Sequence, residues 1–267
     1  MPKVKVNDIE MYYELHGEGT PLILIQGYGG SSTDWIPEII HGFEDEFKVI
    51  ILDNRGTGQS DKPDVKYSIK NMADDVSCLM ESIGIQRAHV LGLSMGGVIA
   101  QEMAISHPDR VQSLVLCSTS CSVKNIIGAS EEFWDVIESN ARGDLSKMSP
   151  ELILSAYSPD YLQANRDRIL RNMAASKHPT PPVGFIRQAQ ATLNYDSYDR
   201  LPDIKAPCLV LVGEQDIIAP PENSRVLAER IPHARLKIFE NTAHMFLYES
   251  TDTAIQEILD FLLEVDS

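Results

Sequence analysis

The sequence predicts an α/β fold: a mostly parallel central sheet with helices on both faces and an inserted helical segment. Three observations predict it. Short apolar runs alternate with stretches of helical periodicity. The runs are apolar at successive positions, as strands buried on both faces are. The alternation stops near residue 122 and resumes after residue 198. Strands alternating with helices imply parallel pairing through right-handed crossovers.

The elements follow in order. Residues 4–6 and 11–15 read as short strands that pair through a turn around Asn7-Asp8. Residues 21–25 form a continuous apolar run ending in Gly27-Tyr28-Gly29-Gly30. Residues 31–47 read as a first helix, with Pro37 inside it, where proline normally breaks the ladder. Residues 49–52 are a buried strand closing at Asp53-Asn54-Arg55-Gly56-Thr57-Gly58. Ser68 caps a helix to about Ile83, with Met72, Val76, Leu79, Met80 and Ile83 at helical spacing. Gly84 ends it. Residues 88–93 are a strand, 95–106 a helix stopped by His107-Pro108, and 111–117 a strand. Residues 122–198 are irregularly helical and rich in aromatics. They read as a cap inserted into a core made of residues 1–121 and 199–267. Then follow a strand at 208–212, a helix at 221–231, a strand at 236–239 and a closing helix at 251–263.

Composition removes several function classes. The length of 267 residues suits one domain with an insertion. The formal charge is −16, from 23 Lys+Arg and 39 Asp+Glu. A nucleic-acid partner needs a basic stripe, and a membrane surface needs a cationic helix face; neither is visible. No apolar run approaches the ~18–20 residues of a membrane span. The first residues lack an apolar signal core, so a cytoplasmic location is expected. Cys78, Cys117, Cys121 and Cys208 form no CxxC, so reduced and mostly buried thiols are expected, without zinc or redox chemistry.

Gly92-Leu93-Ser94-Met95-Gly96 carries the chemistry. It spells G-x-S-x-G between a strand and a helix, the context in which a serine hydroxyl is pushed out above a sheet. The same letters in an ordinary loop would mean nothing, and no dinucleotide fingerprint is spelled here or at residues 27–32. A serine needs a base. Of seven histidines, His244 follows the last strand, at the carboxyl edge where Ser94 also emerges. The base needs an orienting acid, and Asp216 follows the strand at 208–212, with Glu214 as its local rival. The turn after residues 111–117 offers Ser118, Thr119 and Ser120 but no carboxylate. Backbone amides of Met95 and Tyr28 are the expected oxyanion donors, although the Tyr28 loop also reads as a plain glycine turn.

With the elbow stand three further stretches: Asp53-Asn54-Arg55-Gly56-Thr57-Gly58-Gln59-Ser60, His107-Pro108-Asp109-Arg110-Val111, and Leu201-Pro202-Asp203-Ile204-Lys205-Ala206-Pro207. Together they resemble the α/β-hydrolase fold enzymes over nearly the whole chain outside the cap. Among those the chain is most similar to small bacterial esterases and lactonases related to 3-oxoadipate enol-lactonase and aclacinomycin methylesterase. The resemblance implies a triad of Ser94, Asp216 and His244, in the chain order of that fold, and an oxyanion hole from Tyr28 and Met95. Many relatives have His-Gly where this chain has Gln26-Gly27, which alters the polar lining. Dehalogenases and epoxide hydrolases of the fold carry an aspartate at the elbow, and Ser94 speaks against both.

The expected activity is cleavage of a carboxylic ester or lactone through an acyl-enzyme on Ser94, with no metal or organic cofactor. Peroxide, an alcohol or a thiol could replace water on the same residues, and a receptor could keep the fold without turnover. Trp134 and Met245 are expected to touch substrate, beside Met95, Phe246, Phe133, Tyr157 and Phe185. The cap arginines Arg142, Arg166, Arg168, Arg171 and Arg187 stand mostly among acidic residues and read as a solvated face. The partner expected is therefore a small, uncharged, fairly apolar ester or lactone, with a homo-oligomer left open.

Overall fold

The computed structural model describes residues 2–123 and 126–267. Eight strands form one sheet: β1 (Lys3–Val6), β2 (Ile9–His16), β3 (Thr20–Ile25), β4 (Phe47–Leu52), β5 (Ala88–Leu93), β6 (Val111–Cys117), β7 (Cys208–Gly213) and β8 (Arg235–Phe239). Their order across the sheet is β1-β2-β4-β3-β5-β6-β7-β8. β1 and β2 pair antiparallel, β2 joins β4 antiparallel, and every later pairing is parallel. Asn7, at φ 47°, makes the tight turn of the first hairpin, a conformation asparagine tolerates better than most residues.

Helices flank the sheet because its strands are apolar on both faces. β5 and β7 are buried at every position. Ile23 and Ile25 pack with α2 (Ile69–Ser82), α3 (Met95–Ser106) and α8 (Pro221–Arg230). Leu22 and Leu24 point the other way, toward α1 (Pro37–Glu44) and α10 (Thr251–Asp266). The expected helix over 31–47 is thus shorter. Pro37 does not interrupt it but opens it at the first helical position, where the missing N–H breaks no bond. A 3₁₀ turn at Ser32–Asp34 precedes it, and Phe47 already belongs to β4.

Among the described residues, four α-helices lie between β6 and β7: α4 (Glu131–Ala141), α5 (Pro150–Leu154), α6 (Pro159–Ala174) and α7 (Pro182–Leu193). Three of their starts carry local signals. Ser149 and Ser158 each cap a helix whose first residue is proline, and Ser130 caps α4. The two ends of this stretch meet in a bridge between Ser122 and Asp196 and in a bond from Ser197 N–H to Cys121 C=O at 3.0 Å. The short helix α9 (Phe246–Glu249) precedes α10. Cys117, Cys121 and Cys208 are buried and Cys78 half-buried, all as free thiols. Burial pushes the Cys121 thiol up to about 11. No described helix is long and apolar enough to cross a membrane.

β3 and β5 are neighbours, yet the chain leaves β3 toward β4 on one side and β5 toward β6 on the other. Such a switch point opens a crevice at the carboxyl ends of the strands. The loop after β3 is Gln26–Gly30 and the residue after β5 is Ser94, so both candidate groups border that crevice.

Candidate active site

Ser94 joins β5 to α3 with φ 55° and ψ −119°. This strained backbone exists because its surroundings leave no alternative. A Cβ on Gly92 would stand 2.2 Å from the Gly96 carbonyl oxygen, and one on Gly96 would stand 2.1 Å from that of Ile25. Only glycines allow the strand, turn and helix to approach so closely. Ser94 N–H donates to Cys117 C=O at 2.9 Å, and its own carbonyl accepts Thr119 Oγ1–H at 2.8 Å. The turn after β6 therefore braces the elbow.

Asp216 and His244 are both buried, and His244 Nδ1 lies 2.8 Å from Asp216 Oδ2. The other carboxylate oxygen, Oδ1, accepts the amides of Ile218 and Ala219 at 2.8 and 2.9 Å. A carboxylate opposite Nδ1 favours the tautomer that donates from Nδ1 and turns Nε2 into the acceptor, the arrangement a general base needs. Glu214 is exposed and accepts Asn241 N–H at 3.2 Å instead. The His244 loop is held by Ala243 N–H on Glu249 Oε1 at 3.1 Å and Met245 N–H on Ala156 C=O at 3.0 Å. Among the described residues no hydrogen bond joins Ser94 Oγ to His244; in unliganded sites this contact commonly tightens only with substrate.

The Gly27–Gly30 loop is tied at three of its four amides. Gly27 N–H donates to Gln26 Oε1 at 3.0 Å, Gly29 N–H to Gln188 Oε1 at 2.8 Å, and Gly30 N–H to Gly27 C=O at 3.1 Å. The amide of Tyr28 has no acceptor among the described residues, nor has that of Met95 at the start of α3. These two are the candidate donors to a developing oxyanion. Sequence patterning does not single out Gln188, because its partners lie far along the chain, and it marks Gln26 only as a departure from the family's His-Gly. Gln188 also donates to Arg55 C=O at 3.1 Å, and Gln26 to Tyr248 Oη at 2.9 Å. The Tyr28 hydroxyl donates to Phe185 C=O at 3.0 Å and accepts from Asn140 at 2.9 Å, joining the loop to α7 and α4. Burial raises that phenol well above its usual range.

A cavity of about 50 Å³ opens between this loop, the elbow and α4. Ser94, Met95, Tyr28 and Trp134 line it, as do Ile218 and Ala219 from the Asp216 loop. Met245 does not. It packs beside the core on the Leu22 and Leu24 face, as does Tyr157, while Phe246 is fully buried and stacked on Phe239 at 4.8 Å. Phe185 lies edge-on to Tyr28 at 5.5 Å, outside the lining. Of the expected apolar wall, Met95, Phe133 and Trp134 remain. The lining carries no Lys, Arg, His, Asp or Glu among the described residues. No group of three or more metal-ligating side chains occurs among them either.

The family model described as alpha/beta hydrolase fold matches residues 20–251. The chain belongs to the α/β-hydrolase fold family. A protein of Azorhizobium caulinodans that bears the name carbamate hydrolase RutD is 30% identical, with all of both chains covered. Among solved α/β-hydrolase-like structures, the enol-lactonase from Burkholderia xenovorans LB400 has a TM-score of 0.88 at 28% identity, covering 98% of this chain and all of that one. A thermophilic esterase from Thermogutta terrifontis has a TM-score of 0.86 at 27% identity, with both chains fully covered.

Proposed function

We propose that this α/β-hydrolase fold protein is a serine hydrolase of small, uncharged carboxylic esters or lactones. The observation that carries the reading is the 2.8 Å bond between His244 Nδ1 and Asp216 Oδ2, with Ser94 held on a strained elbow at the same carboxyl edge of the sheet. Ser94 Oγ attacks the acyl carbon while His244 Nε2 takes its proton. The carbonyl oxygen becomes an oxyanion on the free amides of Tyr28 and Met95. Asp216 keeps the imidazole in its useful tautomer and stabilises the imidazolium. His244 then protonates the leaving alcohol, and a water activated by the same nitrogen releases the acid. Residues 122–198 act as the cap, fastened to the oxyanion loop through Tyr28 and Gln188.

An uncharged substrate follows from the lining. A carboxylate buried there would find no cation among the described lining residues to pair with, which is very unfavourable. A second reading is hydrolysis of a carbamate, favoured by the relative of that name, which aligns with the whole chain. The two share the acyl-enzyme step.

The test combines labelling and turnover. A fluorophosphonate should label the protein on Ser94, and a neutral short-chain aryl ester should be hydrolysed. Ser94→Ala should lose both, leaving at most the ~10³–10⁴-fold background over water that binding and the oxyanion site supply. Substantial ester hydrolysis by a folded Ser94→Ala protein would remove the assignment. Comparing an aryl ester with the matching aryl carbamate ranks the two readings.

A further inference from the structure

Among the described residues, two buried polar side-chain atoms at the cavity have no partner. Ser118 is fully buried, and its hydroxyl makes no hydrogen bond. The indole N–H of Trp134 is likewise shut off from solvent and unpaired. Both residues line the same cavity as Ser94. Ser118 also holds a positive φ of 45°, one of five such non-glycine residues described, and Ser94 is another. Buried donors without acceptors are rare, and strained backbone gathers at working sites.

The chemistry of the pair narrows what could satisfy it. An indole N–H only donates, whereas a hydroxyl donates or accepts. One oxygen atom with two lone pairs can accept from both. A carboxylate oxygen would also fit the donors, but the described lining residues offer no counter-charge. Resting on the ester-hydrolase reading above, we infer that Ser118 and Trp134 form a polar subsite for a second, uncharged oxygen of the substrate. The preferred acyl groups thus carry a keto or hydroxyl oxygen beyond the scissile carbonyl. At about 50 Å³ the cavity holds only a few water-sized groups. Substrate entry must widen it, and widening between α4 and the turn after β6 uncovers both atoms.

The experiment compares kcat/KM for the phenyl esters of 3-oxobutanoic and butanoic acid in the wild type, Ser118→Ala, Ser118→Gly and Trp134→Phe. Intrinsic reactivity cancels when the ratio of the two esters is compared between proteins. Ser118→Gly keeps the positive φ without strain, and Trp134→Phe covers the case in which neither Ser118 variant folds. The ratio should fall about tenfold in each folded variant relative to wild type. A second readout needs no turnover. The chain has 2 tryptophans, so the Trp134 indole N–H signal is identified by its loss in Trp134→Phe. In ¹⁵N-labelled Ser94→Ala protein, 3-oxobutanamide should move that signal downfield and butanamide should not. Equal ratios in every protein, or an indole signal that neither amide moves, would overturn the subsite. If no ester is cleaved and Ser94 takes no fluorophosphonate, the hydrolase reading falls, and the indole signal alone decides the subsite.

Discussion

Asp216 and Glu214 lie two residues apart after β7, but only Asp216 reaches the imidazole. The difference is the turn. Asp216 is anchored by two backbone amides that point one oxygen at Nδ1, while Glu214 extends to the surface. Asp216→Asn replaces an acceptor by a donor and favours the wrong tautomer. It should lower kcat for a neutral aryl ester by about 10⁴, as loss of an orienting carboxylate does elsewhere. Glu214→Gln should stay within a few-fold of wild type. The reverse ranking in steady-state kinetics would move the role to Glu214. Residue types alone do not make a site, as His89 demonstrates. Its Nδ1 lies 2.7 Å from Ser113 Oγ and its Nε2 2.9 Å from Asp266 Oδ1, a second Ser, His and Asp cluster. It is fully buried between strands and borders no cavity among those described. Burial holds the His89 pKa below its ordinary 6.5, against the opposing pull of Asp266. The unfolded chain therefore takes up this proton first as pH falls. The contribution is complete above about 6.5 and is lost as pH falls from there toward the folded value. Urea unfolding at pH 7.5 and 5.5 should show a larger loss of stability for wild type than for His89→Gln. A difference between the two proteins that does not change with pH would mean that His89 does not titrate differently on folding.

The elbow is where an element depends on single glycines. Gly96→Ala drives a Cβ into the Ile25 carbonyl, and backbone cannot yield as a side-chain tip can. Gly84 sits at φ 75° after α2, and a Cβ added there would meet nothing within 4 Å, so an alanine faces only backbone strain. Gly84→Ala should cost about 1 kcal/mol. Gly96→Ala should lower the thermal midpoint much further, or leave no folded protein. Equal shifts in calorimetry would mean that the elbow relaxes more readily than its contacts imply. The elbow is readable in sequence because everything it needs is local: a strand, glycines on either side of a serine, then a helix. The limits of α1 are less readable, because Pro37 fits a helix interior badly and a helix start well.

Across the whole molecule, charge and cavity point the same way. The chain's net −16 repels anions at long range, though salt screens this beyond ~8–10 Å. The arginines of residues 122–198 do not compensate. Arg187 pairs with Asp64 at 2.6 Å, Arg142 with Glu138 at 3.6 Å and Arg166 with Glu151 at 3.7 Å, while Arg168 donates to Tyr161. None of them lines the cavity. A neutral short-chain aryl ester should therefore exceed the anionic enol-lactone of 3-oxoadipate in kcat/KM by at least about tenfold. A higher value for the anion would mean that a cap arginine turns inward, and Arg187→Gln would test the first candidate.

From sequence alone came the parallel sheet, the elbow, and the three side chains to compare at its carboxyl edge. These follow from periodicity and from position after a strand, which neighbours in the chain determine. The tertiary structure decided the rest of the site. It gave Gly29 N–H a partner 159 residues away in Gln188, and left Ser118 and Trp134 unpaired at one cavity. It also turned Met245 and Phe246 toward the core rather than the cavity. No local pattern distinguishes those directions, because which face of a short helix is buried depends on what packs against it.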